Sequence, residues 1–253
     1  MTTADTPQPS RWESIDELAA AVRSCTNCDL HTTRTNAVPG SGSSKAQILI
    51  IGEGPGFNED QQGLPFIGRS GKLLDEMLAA VPLSREDVFI TNVVKCRPPD
   101  NRDPLPDEVA ACRPYLERQM ELLNPKVVVT LGRVSMLRFH PTGKISEDHG
   151  KILEWEGRIL FPLYHPAAGL RNPAIKRELQ QDVLKLPEAV IASDRISAGS
   201  PQTTEIEEVQ EETPRPSSQP GEATEAEAQL SETLLKNETT EEKEQGDRQL
   251  GMF

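Results

Sequence analysis

Four cysteines and one glycine-rich loop are the parts of this sequence best suited to chemistry. Cys25 and Cys28 stand close together in "SCTNCDLHTTR", while 67 residues separate Cys28 from Cys96 and 15 separate Cys96 from Cys112. Four thiolates can hold a tetrahedral zinc ion or the iron atoms of a 4Fe–4S cube. Single thiols can also simply fill a core. Zinc ribbons usually bring two close pairs, whereas here one pair joins two scattered cysteines, a pattern the wider cube tolerates better. Spacing therefore leans to iron–sulfur and leaves zinc and buried thiols open.

The loop "GEGPGFNEDQQGLPFIGRSGKLL", residues 52–74, packs three glycines and a proline into its first five positions. Such a turn brings backbone close to a ligand. It is no phosphate-binding loop, because no Gly-Lys-Ser/Thr follows at the required place. A flat, neutral ligand suits it better, with Phe66 as a stacking surface and Glu53 and Glu59 as polar partners. The plainer readings are a core aromatic for Phe66 and solvated loop carboxylates for Glu53 and Glu59.

These groups need a scaffold, and the hydrophobic pattern supplies one. "QILIIGE" (47–53), "DVFITNVVKC" (87–96), "KVVVTLG" (126–132) and "GRILFPLYHP" (157–166) read as buried strands. Between and around them, "SIDELAAAVRSC" opens with a capping-box pattern, Ser14 with Glu17. "GKLLDEMLAAV" (71–81), "PDEVAACRPYLERQMELL" (106–123) and "NPAIKRELQQDVLKL" (172–186) have helical spacing. Alternating strands and helices predict an α/β fold, a three-layer αβα sandwich around a central, mainly parallel four-stranded sheet. Ligands of such sheets bind beyond the carboxyl ends of the strands.

The formal net charge is −13, but residues 191–253 alone hold 15 acidic and 5 basic residues. The remainder is close to neutral, so the acidity says little about what the folded part binds. Residues 191–253 contain one aromatic, Phe253, and abound in Glu, Thr, Ser, Gln and Pro. Such a segment cannot bury enough apolar surface to offset chain entropy. The expectation is a folded domain over 1–190, a disordered acidic linker over 191–248, and a short apolar terminus, "QLGMF", over 249–253. No run is long and apolar enough to span a membrane, and the polar N-terminus is unlike a signal peptide. A cytoplasmic monomer is expected.

"GEGPG", "PFIGRSG", "TNVVKCRPP" and "HPAAGLRNP", with the four cysteines in this order, closely resemble the family 4 uracil-DNA glycosylases, the iron–sulfur members of their superfamily in bacteria and archaea. The resemblance spans about residues 15 to 190. It implies a 4Fe–4S cluster on Cys25, Cys28, Cys96 and Cys112, structural in role and close to the DNA-binding face. It also implies a monofunctional glycosylase that flips uracil from DNA and hydrolyses its N-glycosidic bond, initiating base excision repair, in a nucleoid-associated bacterial or archaeal setting. His165 would donate to uracil O2, where negative charge develops. Asn92 would read O4 and N3–H, a pattern that cytosine inverts. Phe66 would stack on the flipped base, and Glu59 would face uracil C5 and disfavour thymine. Where the best-known family of the superfamily has a water-positioning Asp, this chain has Gly54, with Glu53 one residue earlier. Leu170 is the candidate wedge and Arg171 a phosphate partner, with Lys95, Arg97 and Arg102 as further DNA contacts. The other classes are a non-catalytic iron–sulfur DNA-binding or redox-sensing module and a zinc-stapled accessory protein. Finally, Gln249, Leu250, Met252 and Phe253 are similar to the short motif by which bacterial repair and replication proteins bind the sliding clamp.

Overall fold

The computed structural model describes residues 12–199. In chain order they form α1 (Ile15–Arg23), β1 (Ser41–Gly42), β2 (Ile48–Gly52), α2 (Phe57–Gln62), α3 (Arg69–Ala80), β3 (Val88–Asn92), α4 (Pro106–Leu123) and β4 (Val127–Leu131). There follow α5 (Arg133–Leu137), α6 (Ile145–Asp148), β5 (Leu153–Trp155), β6 (Arg158–Leu163), α7 (Pro166–Arg171), α8 (Pro173–Val183) and α9 (Leu186–Gly199). The acidic segment from residue 200 and the terminal Gln249, Leu250, Met252 and Phe253 lie outside the described residues.

One six-stranded sheet has the order β1-β3-β2-β4-β6-β5. Its four inner strands are the four expected, and they pair in parallel. The sheet is nevertheless wider than expected, because β1 and β5 add antiparallel edges against β3 and β6. Each edge is two or three residues long, too short to leave a periodic signal. The inner strands are buried along nearly their whole length, as strands covered on both faces must be. Their side chains alternate between two cores. Ile48, Ile50, Val129 and Phe161 pack with α3, α8 and α9, whereas Leu49, Ile51, Val128 and Leu160 pack with α1 and α4. A fully buried aliphatic side chain contributes roughly 1.5–3 kcal/mol, so a one-residue register slip, which would exchange the two faces, is strongly opposed.

Local signals position the helices. Ser14 Oγ accepts from Glu17 N at 3.2 Å, closing one arm of the capping box; the Glu17 carboxylate takes the Glu13 N–H at 2.8 Å instead of that of Ser14. The second strand ends at Asn92 and not at Cys96, yet Val93 N and Val94 N still donate to Gly52 O and Glu53 O. The C-terminal boundary is also corrected. Residues 191–199, expected in the linker, continue α9, because Val190, Ala192 and Ile196 pack on the core beside α8. No helix among the described residues is long and apolar enough to cross a membrane.

Candidate active site and cysteine chamber

Along the sheet the chain runs from β2 to β3 on one side and then crosses to β4 on the other. Where strand order reverses, the loops diverge and leave a crevice. A cleft of about 560 Å³ opens there, lined among others by Glu53, Phe66, Asn92, His165 and Leu170.

Asn92 is the last residue of β3 and is 1% exposed. Its Oδ1 is buried and has no hydrogen-bond partner among the described residues. An orphaned buried acceptor costs about 1–3 kcal/mol, a cost removed when a ligand donates to it. Gly52 makes room for this arrangement: a Cβ there would stand 2.4 Å from Asn92 Oδ1 and 2.5 Å from the Phe66 ring. Gly54 packs as closely, its would-be Cβ 2.9 Å from Val94 Cγ2.

Phe66 is held in the left-handed region, at φ 52°, which a residue with a side chain adopts only when its surroundings impose it. Two clamps impose it here. Glu59 Oε1 accepts from the backbone N–H of Ile67 at 2.9 Å and of Gly68 at 2.8 Å. From outside the cleft Arg85 donates to Pro65 O at 3.0 Å and to Phe66 O, while its Nε pairs with Asp75 Oδ1 at 2.7 Å. Gly71 lets the Phe66 carbonyl approach, since a Cβ there would lie 1.7 Å from that oxygen. Arg85 is therefore a positioning residue for the aromatic surface, and no sequence motif pointed to it. Arg85→Ala is expected to lower kcat/KM on the chain's substrate by roughly ten- to a hundredfold, the range of a small misplacement at a reacting centre. Arg85→Lys should recover part of the loss, because an ammonium can still reach one carbonyl. Equal kcat/KM in wild type and Arg85→Ala would show that the loop holds its shape unaided.

His165 follows β6 and caps α7. Its Nδ1 accepts the Ala167 N–H at 3.1 Å, so the neutral ring carries its proton on Nε2. Burial, helped by the Arg171 charge, brings its pKa down to about 4, and the ring is a neutral donor near pH 7. Its centroid lies 5.7 Å from that of Phe66. Gly132, at φ 91°, leaves space behind it. Glu53 is half-buried, and its carboxyl is pushed up by burial and then by the Asp103 charge, with Arg133 opposing.

Leu170 is 42% exposed at the rim, with Arg171 beside it, and both line the cleft. One expected DNA contact is corrected. Lys95 is 1% exposed, and its ammonium donates to Thr91 Oγ1 (2.7 Å), Asn92 O (2.7 Å) and Gln119 Oε1 (2.6 Å). It cannot reach a phosphate; it braces the strand end that carries Asn92. Arg102 is paired with Glu108 through two bonds of 2.9 and 2.6 Å. Glu108 also accepts from Leu105 N at 2.7 Å, so this pair fixes the start of α4, while Arg102 itself lines the cleft.

On the α1–α4 side, Cys25, Cys28, Cys96 and Cys112 line one chamber with Arg34 and Tyr115. N–H donors point at the sulfurs: Arg34 Nη1 to Cys96 Sγ at 3.0 Å, Lys95 N to Cys112 Sγ at 3.2 Å, and Asn27 N to Cys25 Sγ at 3.5 Å. Burial pushes the Cys112 thiol up to about 12 and raises those of Cys28 and Cys96. Thiols so disposed are poor nucleophiles by themselves.

Comparison with known proteins bears on both sites. The family model described as the uracil DNA glycosylase superfamily matches residues 39–185. The chain belongs to that superfamily. It is 47% identical over 193 residues to a type-4 uracil-DNA glycosylase of Sulfurisphaera tokodaii, covering 72% of this chain and 88% of the relative. Type-4 uracil-DNA glycosylases of Archaeoglobus fulgidus and Thermotoga maritima are 45% and 43% identical, each over 70% of this chain and over 93% and 94% of their own. Within the superfamily this chain is of the type-4 kind. The residues named from sequence as Glu53, Gly54, Glu59, Phe66, Asn92, His165, Leu170 and Arg171 all line this cleft, although they come from three separate stretches of chain.

Proposed function

We propose that this chain is a monofunctional uracil-DNA glycosylase of base excision repair, and that the orphaned carboxamide oxygen of Asn92 is the observation in the cleft that supports it most directly. Uracil presents N3–H as a donor beside O4 as an acceptor. Asn92 Oδ1 accepts from N3–H and its Nδ2 donates to O4. Cytosine would set acceptor against acceptor at N3 and donor against donor at the exocyclic amine, leaving buried groups unpaired, which a site of this kind rejects strongly. The base must first leave the duplex, at a cost of a few kcal/mol. Leu170 fills the vacated stack, and Phe66 stacks on the flipped ring.

As the N1–C1′ bond breaks, its electron pair moves into uracil and the sugar takes on oxocarbenium character. His165 Nε2–H donates to uracil O2, and this bond strengthens as charge accumulates there. The Glu53 carboxylate faces the developing cation and orients the water that adds to C1′, and the adjacent Gly54 lets Val94 and Pro98 pack against the turn that carries Glu53. The oxygen and one proton of that water become the hydroxyl of the abasic sugar, its other proton passes by way of the Glu53 carboxylate to solvent, and uracil leaves as its anion and takes a proton from solvent. Among the described residues no lysine lines the cleft, and a Schiff-base step, which would lead to strand cleavage, has no candidate nucleophile. Glu59, committed to Ile67 and Gly68, acts mainly by fixing the Phe66 loop; its distance from uracil C5 is a secondary matter of exclusion.

The four cysteines suit a 4Fe–4S cluster. Their sulfurs receive N–H donors, as cluster thiolates commonly do. One close pair joined to two scattered cysteines suits the wider cube better than zinc. The cluster would supply a cross-link between α1, the segment after β3, and α4, and no chemical step. The acidic stretch is a linker in this reading, and Gln249, Leu250, Met252 and Phe253 engage a sliding clamp, an assignment that rests on the sequence motif.

The test is incubation of the cluster-bearing protein with oligonucleotides containing one uracil. Free uracil should appear while the strand stays intact until alkali is added, and thymine and cytosine should remain attached. A chain ending at Arg248 should excise equally well but lose binding to the clamp. Absence of uracil release from cluster-bearing protein would overturn the assignment.

A further inference from the structure

The mouth of the cleft carries two exposed pairs of an apolar side chain and an arginine. Leu170 and Arg171 stand on α7, after β6. Phe57 and Arg97 stand after β2 and β3, on the other side of the cleft. Phe57 is 56% exposed and begins α2 directly after Gly56, a residue of the cleft wall. The Arg97 guanidinium carbon lies over its ring, 5.2 Å from the centroid. Arg97 Nε donates to Asn101 Oδ1 at 2.7 Å, and Asn101 and Pro98 line the same cleft. Among the described residues no carboxylate is within ion-pair distance of Arg97, so its charge faces solvent or a ligand.

A phenyl ring this exposed gains little from the fold, and the arginine over it is oriented by a neutral amide. We propose that Phe57 and Arg97 form a stacking platform for the nucleobase next to the flipped uracil on the same strand. The inference rests on the glycosylase reading above and adds a subsite to it. In the sheet β2 and β6 are two strand spacings apart, about 10 Å. Phe57 and Leu170 lie on helices that follow these two different strands, α2 and α7. With Leu170 in the opened stack, Phe57 takes the neighbouring base as it is drawn out of line. Stacking on an aromatic face is tolerant of sequence because every base has such a face. The guanidinium adds a cation–π contact and a partner for the adjoining phosphate.

The experiment measures binding of a single-stranded oligonucleotide carrying a 2′-fluoro-deoxyuridine, which resists cleavage, with 2-aminopurine beside it as a fluorescent reporter of stacking. Phe57→Ala is expected to bind about tenfold more weakly, equivalent to about 1.4 kcal/mol, and to lose the fluorescence change seen with wild type. Phe57→Trp should retain both, and Phe57→Leu should behave like alanine, because a plain apolar contact would accept leucine. The side chain is on the surface, and a thermal melt checks that each variant folds. Unchanged affinity or an unchanged fluorescence signal in Phe57→Ala, or full recovery by leucine, overturns the platform. Those results leave the glycosylase reading intact when wild type still releases uracil, whereas a wild type that releases none removes both.

Discussion

Replacing His165 with alanine is expected to slow uracil excision by roughly 10²–10³-fold, the loss measured when one preorganised donor to a developing anion is removed. DNA binding should survive, since the hydrogen bond from Nε2 grows with the charge on the leaving base and is weak before the bond breaks. The loss should therefore fall on kcat and kcat/KM alike. The ring is already neutral over the working range because burial and Arg171 bring its pKa down to about 4. Wild-type rates should then show no inflection at the ordinary histidine value near 6.5. An acid limb, where one is seen, belongs to Glu53. Its carboxyl is raised by burial and by Asp103, and its ionised form is the active one, so rate is lost as pH falls through that raised value. Glu53→Gln should lower the rate and flatten this limb. A His165→Ala variant with wild-type kcat would refute the mechanism.

Cys112→Ala is expected to abolish the visible iron–sulfur absorption and to lower the thermal midpoint by on the order of 10 °C. A structural metal centre is among the few single features whose loss costs several kcal/mol, and each kcal/mol shifts the midpoint of a domain this size by about 2–4 °C. Cys112 sits on α4 and Cys25 just beyond α1, so the missing ligand would uncouple two helices that otherwise meet through Leu18, Val22 and Leu116. A cysteine that merely filled space would cost about 1 kcal/mol and leave the iron content unchanged. Iron analysis together with a melt separates the two cases: full iron content with an unshifted midpoint would remove Cys112 from the ligand set.

Much of this protein was legible before any coordinates. The four inner strands declared themselves as continuous aliphatic runs, because parallel strands are buried on both faces and tolerate nothing else. The motifs at their carboxyl ends carried the residues that line the cleft, because ligand-facing loops must hold specific functional groups whatever packs around them. The length of α4 was readable from its opening proline and apolar spacing. The chain's own order of residues thus determined the α/β class, and its motifs named residues that the fold gathers in one cleft and cysteines that it gathers in one chamber.

Tertiary structure decided which polar groups face outward. Lys95 and Arg102 read as cations beside a DNA-binding loop. Lys95 instead turns inward to Gln119, 24 residues away on α4, whereas Arg102 meets Glu108 and still lines the cleft. Charge is visible in a sequence, whereas burial depends on what another element brings to the same place. Arg85 left no signal for the same reason: its partner, the Phe66 carbonyl, lies 19 residues back and is an ordinary backbone oxygen. The edge strands β1 and β5 exist only because β3 and β6 offer unpaired backbone, and α9 runs past residue 190 because the sheet gives its apolar side chains a surface. Local sequence specifies what a residue can do; the packing of distant elements specifies whether it is free to do it.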